Sequence, residues 1–246
     1  MKPFLLLATR AQDLAADGEH RAVLHYGGLD ADELHRVRLE REPMPPLALD
    51  DYSGIIVGGG PFNASDPADD KSAEQRRVEE EFAALLDEVV DRDFPFLGMC
   101  YGVGTLGAHE GAVVDRTYGE RVGPVTIELT PEGLVDPLLA GVPPRFDALV
   151  GHKEAVRELP ADAVRLASSA DCPVQMFRVR NNLYATQFHP ELDHAGVRER
   201  IDIYRDFGYF APAEYEETVA WATSREIVHP HRILRAFVER YAVPTA

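Results

Sequence analysis

A cysteine between two glycines follows an apolar run at Phe96-Leu97-Gly98-Met99-Cys100-Tyr101-Gly102. A nucleophile placed in a tight strand-to-helix turn needs minimal neighbours, and glycines at 98 and 102 provide them. Such a turn lifts the sulfur to the carboxyl end of a sheet. The N-terminus of the helix that follows favours the thiolate. The Tyr101 N–H then points toward an oxyanion developing on an attacked carbonyl. Taken alone, Gly-x-Cys-x-Gly also fits a buried cysteine beside a glycine turn. A working thiolate needs a base, and the base needs an acceptor to orient it. Tyr184-Ala185-Thr186-Gln187-Phe188-His189-Pro190-Glu191 offers both at the end of an apolar run. His189 can take the thiol proton and return it to a leaving amine, while Glu191 holds the other ring nitrogen. A loop histidine beside a solvated glutamate is the plainer alternative. A third run, Ile55-Ile56-Val57-Gly58-Gly59-Gly60-Pro61, brings glycine N–H groups close to a ligand, with Gly59 or Gly60 as a second oxyanion donor. It lacks the Gly-x-Gly-x-x-Gly spacing of a dinucleotide site.

The elements that must position these residues alternate through the first half. Strands are expected at Pro3–Thr9, Leu34–Leu39, Gly54–Val57 and Phe94–Met99. Helices are expected at Glu19–Tyr26 and Lys71–Arg92, the latter with Val78, Phe82, Leu85, Leu86 and Val89 at 3–4 residue spacing. This alternation predicts an α/β fold, a mostly parallel sheet with helices on both faces. The middle predicts short strands in Val113–Leu129, Phe146–Val150 and Val164–Ala167. A hairpin joins Val174–Val179 to Leu183–Phe188 through Arg180-Asn181-Asn182, since asparagine tolerates positive φ. The tail reads as three helices: Ala195–Phe207, Pro212–Thr223 and His231–Tyr241. No linker divides residues 1–246, which are expected to form one domain with a helical extension over about 194–246.

Composition excludes other classes. There are 25 basic against 42 acidic side chains, a formal charge of −17. That field repels phosphate backbones and anionic bilayers, so neither nucleic acid nor membrane is an expected partner. Two cysteines make no disulfide framework, and no apolar run approaches a membrane span. A cytoplasmic protein is expected. Cys172 has no adjacent base and reads as structural. His189, Glu191 and His194 lack the spacing of a helical zinc motif, so no metal site is assigned.

Together the three motifs resemble the class I (triad-type) glutamine amidotransferase family, closest to its GMP synthase-like stand-alone members. The resemblance implies a flavodoxin-like three-layer α/β/α sandwich. It implies Cys100 as nucleophile, His189 as base, Glu191 as third triad member, and Gly59, Gly60 and Tyr101 around the oxyanion. It implies glutamine hydrolysis through a γ-glutamyl thioester with no cofactor, the ammonia passing to a separate synthetase or acceptor subunit. Val150-Gly151-His152-Lys153-Glu154-Ala155-Val156 resembles the family's histidine-containing strand beside the glutamine pocket. One position departs. The family's Gly-x-Cys-x-Gly-x-Gln has its glutamine replaced here by Gly104, which has no side chain to bind substrate. Two other readings therefore stand: a γ-glutamyl peptide hydrolase with the same triad, and a silent binding module.

Overall fold

The computed structural model describes residues 1–245. In chain order it runs β1 (Phe4–Ala8), α1 (Asp13–Gly27), β2 (Leu34–Arg38), β3 (Gly54–Val57), α2 (Ala73–Asp91), β4 (Phe96–Met99), α3 (Tyr101–His109), β5 (Val113–Asp115) and β6 (Glu120–Leu129). It continues α4 (Pro131–Val135), β7 (Arg145–His152), β8 (Ala155–Glu158), β9 (Val164–Ser168), β10 (Met176–Val179), β11 (Leu183–Thr186), α5 (His194–Ile203), α6 (Tyr215–Ala222) and α7 (His231–Tyr241).

Nine strands form one mixed sheet in the order β2-β1-β3-β4-β11-β10-β9-β6-β7. The five from β2 to β11 pair in parallel, as the strand–helix alternation predicts. The remaining four are antiparallel additions. β5 and β8 make a separate two-stranded sheet.

β1, β3, β4 and β11 are buried throughout because both faces are covered, while the edge strand β2 exposes His35 between its buried Leu34 and Val37. On one face Phe4, Leu6, Ile56 and Leu97 pack against Val23 of α1 and Ile233, Leu234 and Phe237 of α7. On the other, Leu5, Ile55, Val57 and Phe96 pack against Val78, Phe82 and Leu86 of α2 and Val103 and Leu106 of α3. Each such side chain, once buried, stabilises the fold by about 1.5–3 kcal/mol. The α2 start is fixed by Ser72, whose side chain accepts from the Gln75 N–H at 3.1 Å. A third cluster joins Leu149 of β7 to Val197 and Ile201 of α5 and Val219 of α6.

Two local expectations shift. The hairpin between β10 and β11 forms, but its positive φ falls on Arg180 (49°) rather than on an asparagine. Asn181 and Asn182 are occupied elsewhere: their backbone N–H groups both donate to Asp93 Oδ1, at 3.1 and 3.0 Å. The amphipathic α1 begins at Asp13, six residues before the expected start, and so includes Glu19 well inside it. No described helix is long and apolar enough to cross a membrane.

Candidate active site

The three motifs converge because their strands are neighbours. β3, β4 and β11 lie side by side, with Val57 opposite Gly98 and Met99 opposite Thr186. The segments after them emerge together at the carboxyl edge of the parallel strands, where ligands bind in open α/β sheets. The Cys100 N–H donates to Thr186 O at 2.8 Å, which fastens the cysteine turn to the strand leading to His189.

Cys100 sits between β4 and α3 at φ 55°, ψ −92°. A non-glycine residue there costs about 1–3 kcal/mol and persists only where its surroundings enforce it. The reason for the glycine at 98 is visible. A Cβ on Gly98 would lie 2.8 Å from the Gly102 backbone, so the helix start could not close over the strand. Cys100 is half-buried. Gly59 comes equally close on the other side: a Cβ there would lie 3.0 Å from His189 Cε1 and 3.4 Å from Cys100 Cβ.

His189 Nδ1 donates to Glu191 Oε1 at 2.9 Å, leaving Nε2 for the sulfur side. Burial alone would lower the imidazolium of His189, but the Glu191 carboxylate and the Cys100 sulfur raise it to about 9. Burial alone would raise the Glu191 carboxyl; His189 and Arg200 hold it well below the usual range.

Arg200 was not among the sequence candidates. It projects from α5 and donates from Nη2 to Glu191 Oε1 at 3.0 Å. Two more unforeseen residues complete the network. Glu19 of α1, fully buried, accepts from Arg10 Nε at 2.9 Å and from the Gly59 N–H at 3.1 Å, and lies 3.6 Å from Arg200. Arg10 also donates to the Tyr204 hydroxyl at 3.1 Å. Two guanidiniums and two carboxylates thus compensate one another out of water, as buried charges must. Nothing in the sequence flags Glu19, one of three acidic residues in α1. The Gly59 N–H is spent on Glu19, which removes it from the expected oxyanion donors and leaves Gly60 and Tyr101 as the candidates.

Two cavities meet at Cys100. A polar one of about 10 Å³ is lined by Asn63, Lys153, Glu154 and Gln187, together with Gly60 and Tyr101. An apolar one of about 50 Å³ takes in His189, Arg10 and Arg200. The tail roofs both: Tyr209 lines each cavity, and Lys153 holds it with Nζ 4.7 Å from the ring and 2.8 Å from Phe207 O. Burial, then the Cys100 sulfur, pushes the Tyr209 phenol up to about 12. The tail helices are therefore more than a cover for the sheet edge.

His152 ends β7 and lines the polar cavity. Its Nδ1 donates to Glu154 O and its Nε2 faces Glu120, each at 2.8 Å. Glu154 in turn accepts from the Ala64 and Ser65 N–H groups, both at 2.8 Å, and so grips the glycine loop. It also fills the space facing Gly104: a Cβ at 104 would lie 2.7 Å from Glu154 Oε1. Glu120, His152 and Cys172 come within 4.8 Å of one another. Their polar atoms are already engaged, Glu120 also accepting from Gln175 at 2.6 Å and Ser169 at 3.1 Å. Burial pushes the Cys172 thiol up to about 12, away from the thiolate a metal needs. The cluster is a structural network tying β6 to β7.

The family model for glutamine amidotransferase class-I matches residues 27–202. One subunit of the glutamine-hydrolyzing GMP synthase of Thermoplasma volcanium is 30% identical over 154 residues, 62% of this chain and 69% of that protein. Glutamine-hydrolyzing GMP synthase of Serratia proteamaculans is 27% identical over 194 residues, 74% of this chain but only 34% of that longer protein. A solved glutamine amidotransferase from Thermotoga maritima superposes with a TM-score of 0.75 at 21% identity, covering 98% of both chains, a likeness of fold.

Proposed function

The chain belongs to the class-I glutamine amidotransferases, cysteine-dependent enzymes, and from that premise we propose that Cys100, His189 and Glu191 hydrolyse the side-chain amide of glutamine. The observation that carries this is the His189–Glu191 hydrogen bond of 2.9 Å behind a cysteine held at positive φ. A carboxylate-fixed imidazole beside a strained elbow cysteine is the minimum a thiolate mechanism requires.

In this reading the Cys100 thiolate attacks the amide carbon. The N–H groups of Tyr101 and Gly60 stabilise the oxyanion, each worth about 10²–10³ in rate. His189 gives its proton to the departing nitrogen, ammonia leaves, and a γ-glutamyl thioester remains. Water, deprotonated by His189, then releases glutamate and restores the thiol. Glu191 keeps the ring in the tautomer that faces the sulfur. The ammonia passes to an acceptor enzyme on a separate protein. The Thermoplasma relative supports this division of labour, being one subunit of a GMP synthase and matched over 69% of its length.

The test is ammonia release from glutamine by the purified protein. Cys100→Ala should reduce it at least about 10³-fold, since removing a nucleophile removes the thioester path altogether. Undiminished release by that variant would refute the mechanism.

A further inference from the structure

Resting on the thioester reading, we propose that Arg200 is a positioning residue of the reaction, its guanidinium straddling the His189–Glu191 hydrogen bond and setting how firmly the imidazole holds its proton. Nη2 donates to Glu191 Oε1 at 3.0 Å, the same oxygen that accepts from His189 Nδ1. Nη1 lies 3.1 Å from Nδ1 itself. Since Nδ1 carries its proton toward Glu191, positive charge at Nη1 faces an N–H and opposes the imidazolium. A planar fork can set one nitrogen against each end of that bond. A lysine ammonium, a point charge on a flexible stem, cannot.

The local fold holds the fork in place. α5 follows the triad loop directly, and its first turn is closed by Asp193, which accepts from the Gly196 N–H at 2.7 Å. Helical side chains lean toward the helix N-terminus, which returns the guanidinium from the second turn to the loop it left. Arg200 is buried there, with Glu19 Oε1 3.6 Å from Nη2. Its terminal nitrogens turn to Glu191, His189 and Glu19, so it acts through the triad.

The reaction explains why a restraint is useful. His189 must give its proton to the departing nitrogen, and an imidazolium held too tightly is a poor acid. The Glu191 carboxylate and the Cys100 sulfur both hold that proton, and together they outweigh the burial of the ring. Arg200 draws part of the Glu191 charge to itself, being one of the groups that hold this carboxyl down. The other neighbours do not replace it. Arg10 lines the same cavity but is paired with Glu19 at 2.9 Å and donates to Tyr204. The Tyr209 phenol, pushed up to about 12, stays uncharged. His231 of α7 donates to Pro190 O at 2.7 Å, and burial disfavours its charged form. Among the described residues, Arg200 is the one cation in contact with both His189 and Glu191.

The experiment follows the His189 ring by NMR titration of the substrate-free full chain, assigned by the signal lost in His189→Gln. Beside it, kcat and KM are measured for ammonia release from glutamine. In Arg200→Gln the midpoint should rise by about one pH unit, the tenfold change in proton affinity that a neighbouring charge exerts. Arg200→Lys, which keeps the charge, should hold the midpoint. Both should lower kcat several-fold with KM little changed, because the fork is lost in each. A midpoint that stays or falls in Arg200→Gln overturns the proposal, even where activity drops, since a merely structural role would leave the titration in place. An equal rise in Arg200→Lys also overturns it. Should Arg200→Gln not fold, Arg200→Lys decides alone, and wild-type kcat there overturns the role of the fork. If no form releases ammonia while the midpoint moves as expected, the glutamine reading fails and the role of Arg200 stands.

Discussion

His189 gains more from its protonated form in the fold than in the open chain. Its imidazolium rises from an ordinary 6.5 to about 9. Below pH 6.5 both folded and unfolded chains hold the proton, and the stabilisation is fully present. Between 6.5 and 9 only the folded chain holds it, so the stabilisation is lost as pH rises through that window. The linkage is about 3 kcal/mol at most, shared with Cys100 and Glu191. The melting temperature should therefore fall from pH 6.5 to 9, and His189→Gln should flatten that part of the profile. An unchanged slope in the variant would assign the effect elsewhere. Cys100, His189 and Glu191 were legible in the sequence because their types and local spacing state their chemistry. Glu19, Arg10, Arg200 and Glu154 were not. Their partners lie nine or more residues away, outside any local motif, and each residue type is as common on a solvated surface.

The elbow is the element that fixes reactivity. β4 and the start of α3 were visible as an apolar run closing on glycine, but the strain at Cys100 is a property of their packing. It predicts an inversion of the usual preference. Glycine normally destabilises relative to alanine by roughly 0.5–1 kcal/mol inside regular structure. At φ 55° it should do the opposite. Cys100→Gly should be more stable than Cys100→Ala by about 1 kcal/mol or more in urea unfolding; equal stabilities would mean that the turn relaxes. Strand β8 and the short helix α4 were not legible in the sequence because neither has a periodic apolar pattern long enough to register. The hairpin between β10 and β11 was placed correctly for a reason that proved different. The asparagines bond to Asp93, and the left-handed residue is Arg180.

Across the whole molecule, the site is where the two halves of the sheet and the tail come together. The parallel half carries the motifs. The antiparallel half, legible in the sequence only as short strands and one hairpin, brings Lys153 and Glu154, and α5 with the following loop brings Arg200 and the roof. Glu19 links these regions, joining the segment after β1, the glycine loop and the tail in one buried carboxylate. Removing it leaves the buried Arg10 guanidinium without a carboxylate, while Arg200 keeps Glu191. Glu19→Ala should cost about 3–5 kcal/mol, the penalty for breaking a buried ion pair from one side. Chemical denaturation would measure it; a loss below about 1 kcal/mol would mean that water enters to solvate Arg10.

The adjacency of β4 and β11 has a kinetic side. Met99 lies opposite Thr186, and everything between them is an excursion that returns to the neighbouring lane. Closing a loop of that length costs about 4 kcal/mol in chain entropy before any contact repays it. Nucleophile and base therefore meet only after the antiparallel half and its hairpin have been laid down. A chain still folding, or emerging from the ribosome, carries a cysteine with no histidine beside it. The topology thus ties the onset of hydrolysis to the completion of the sheet, and keeps the thiol idle on unfinished molecules.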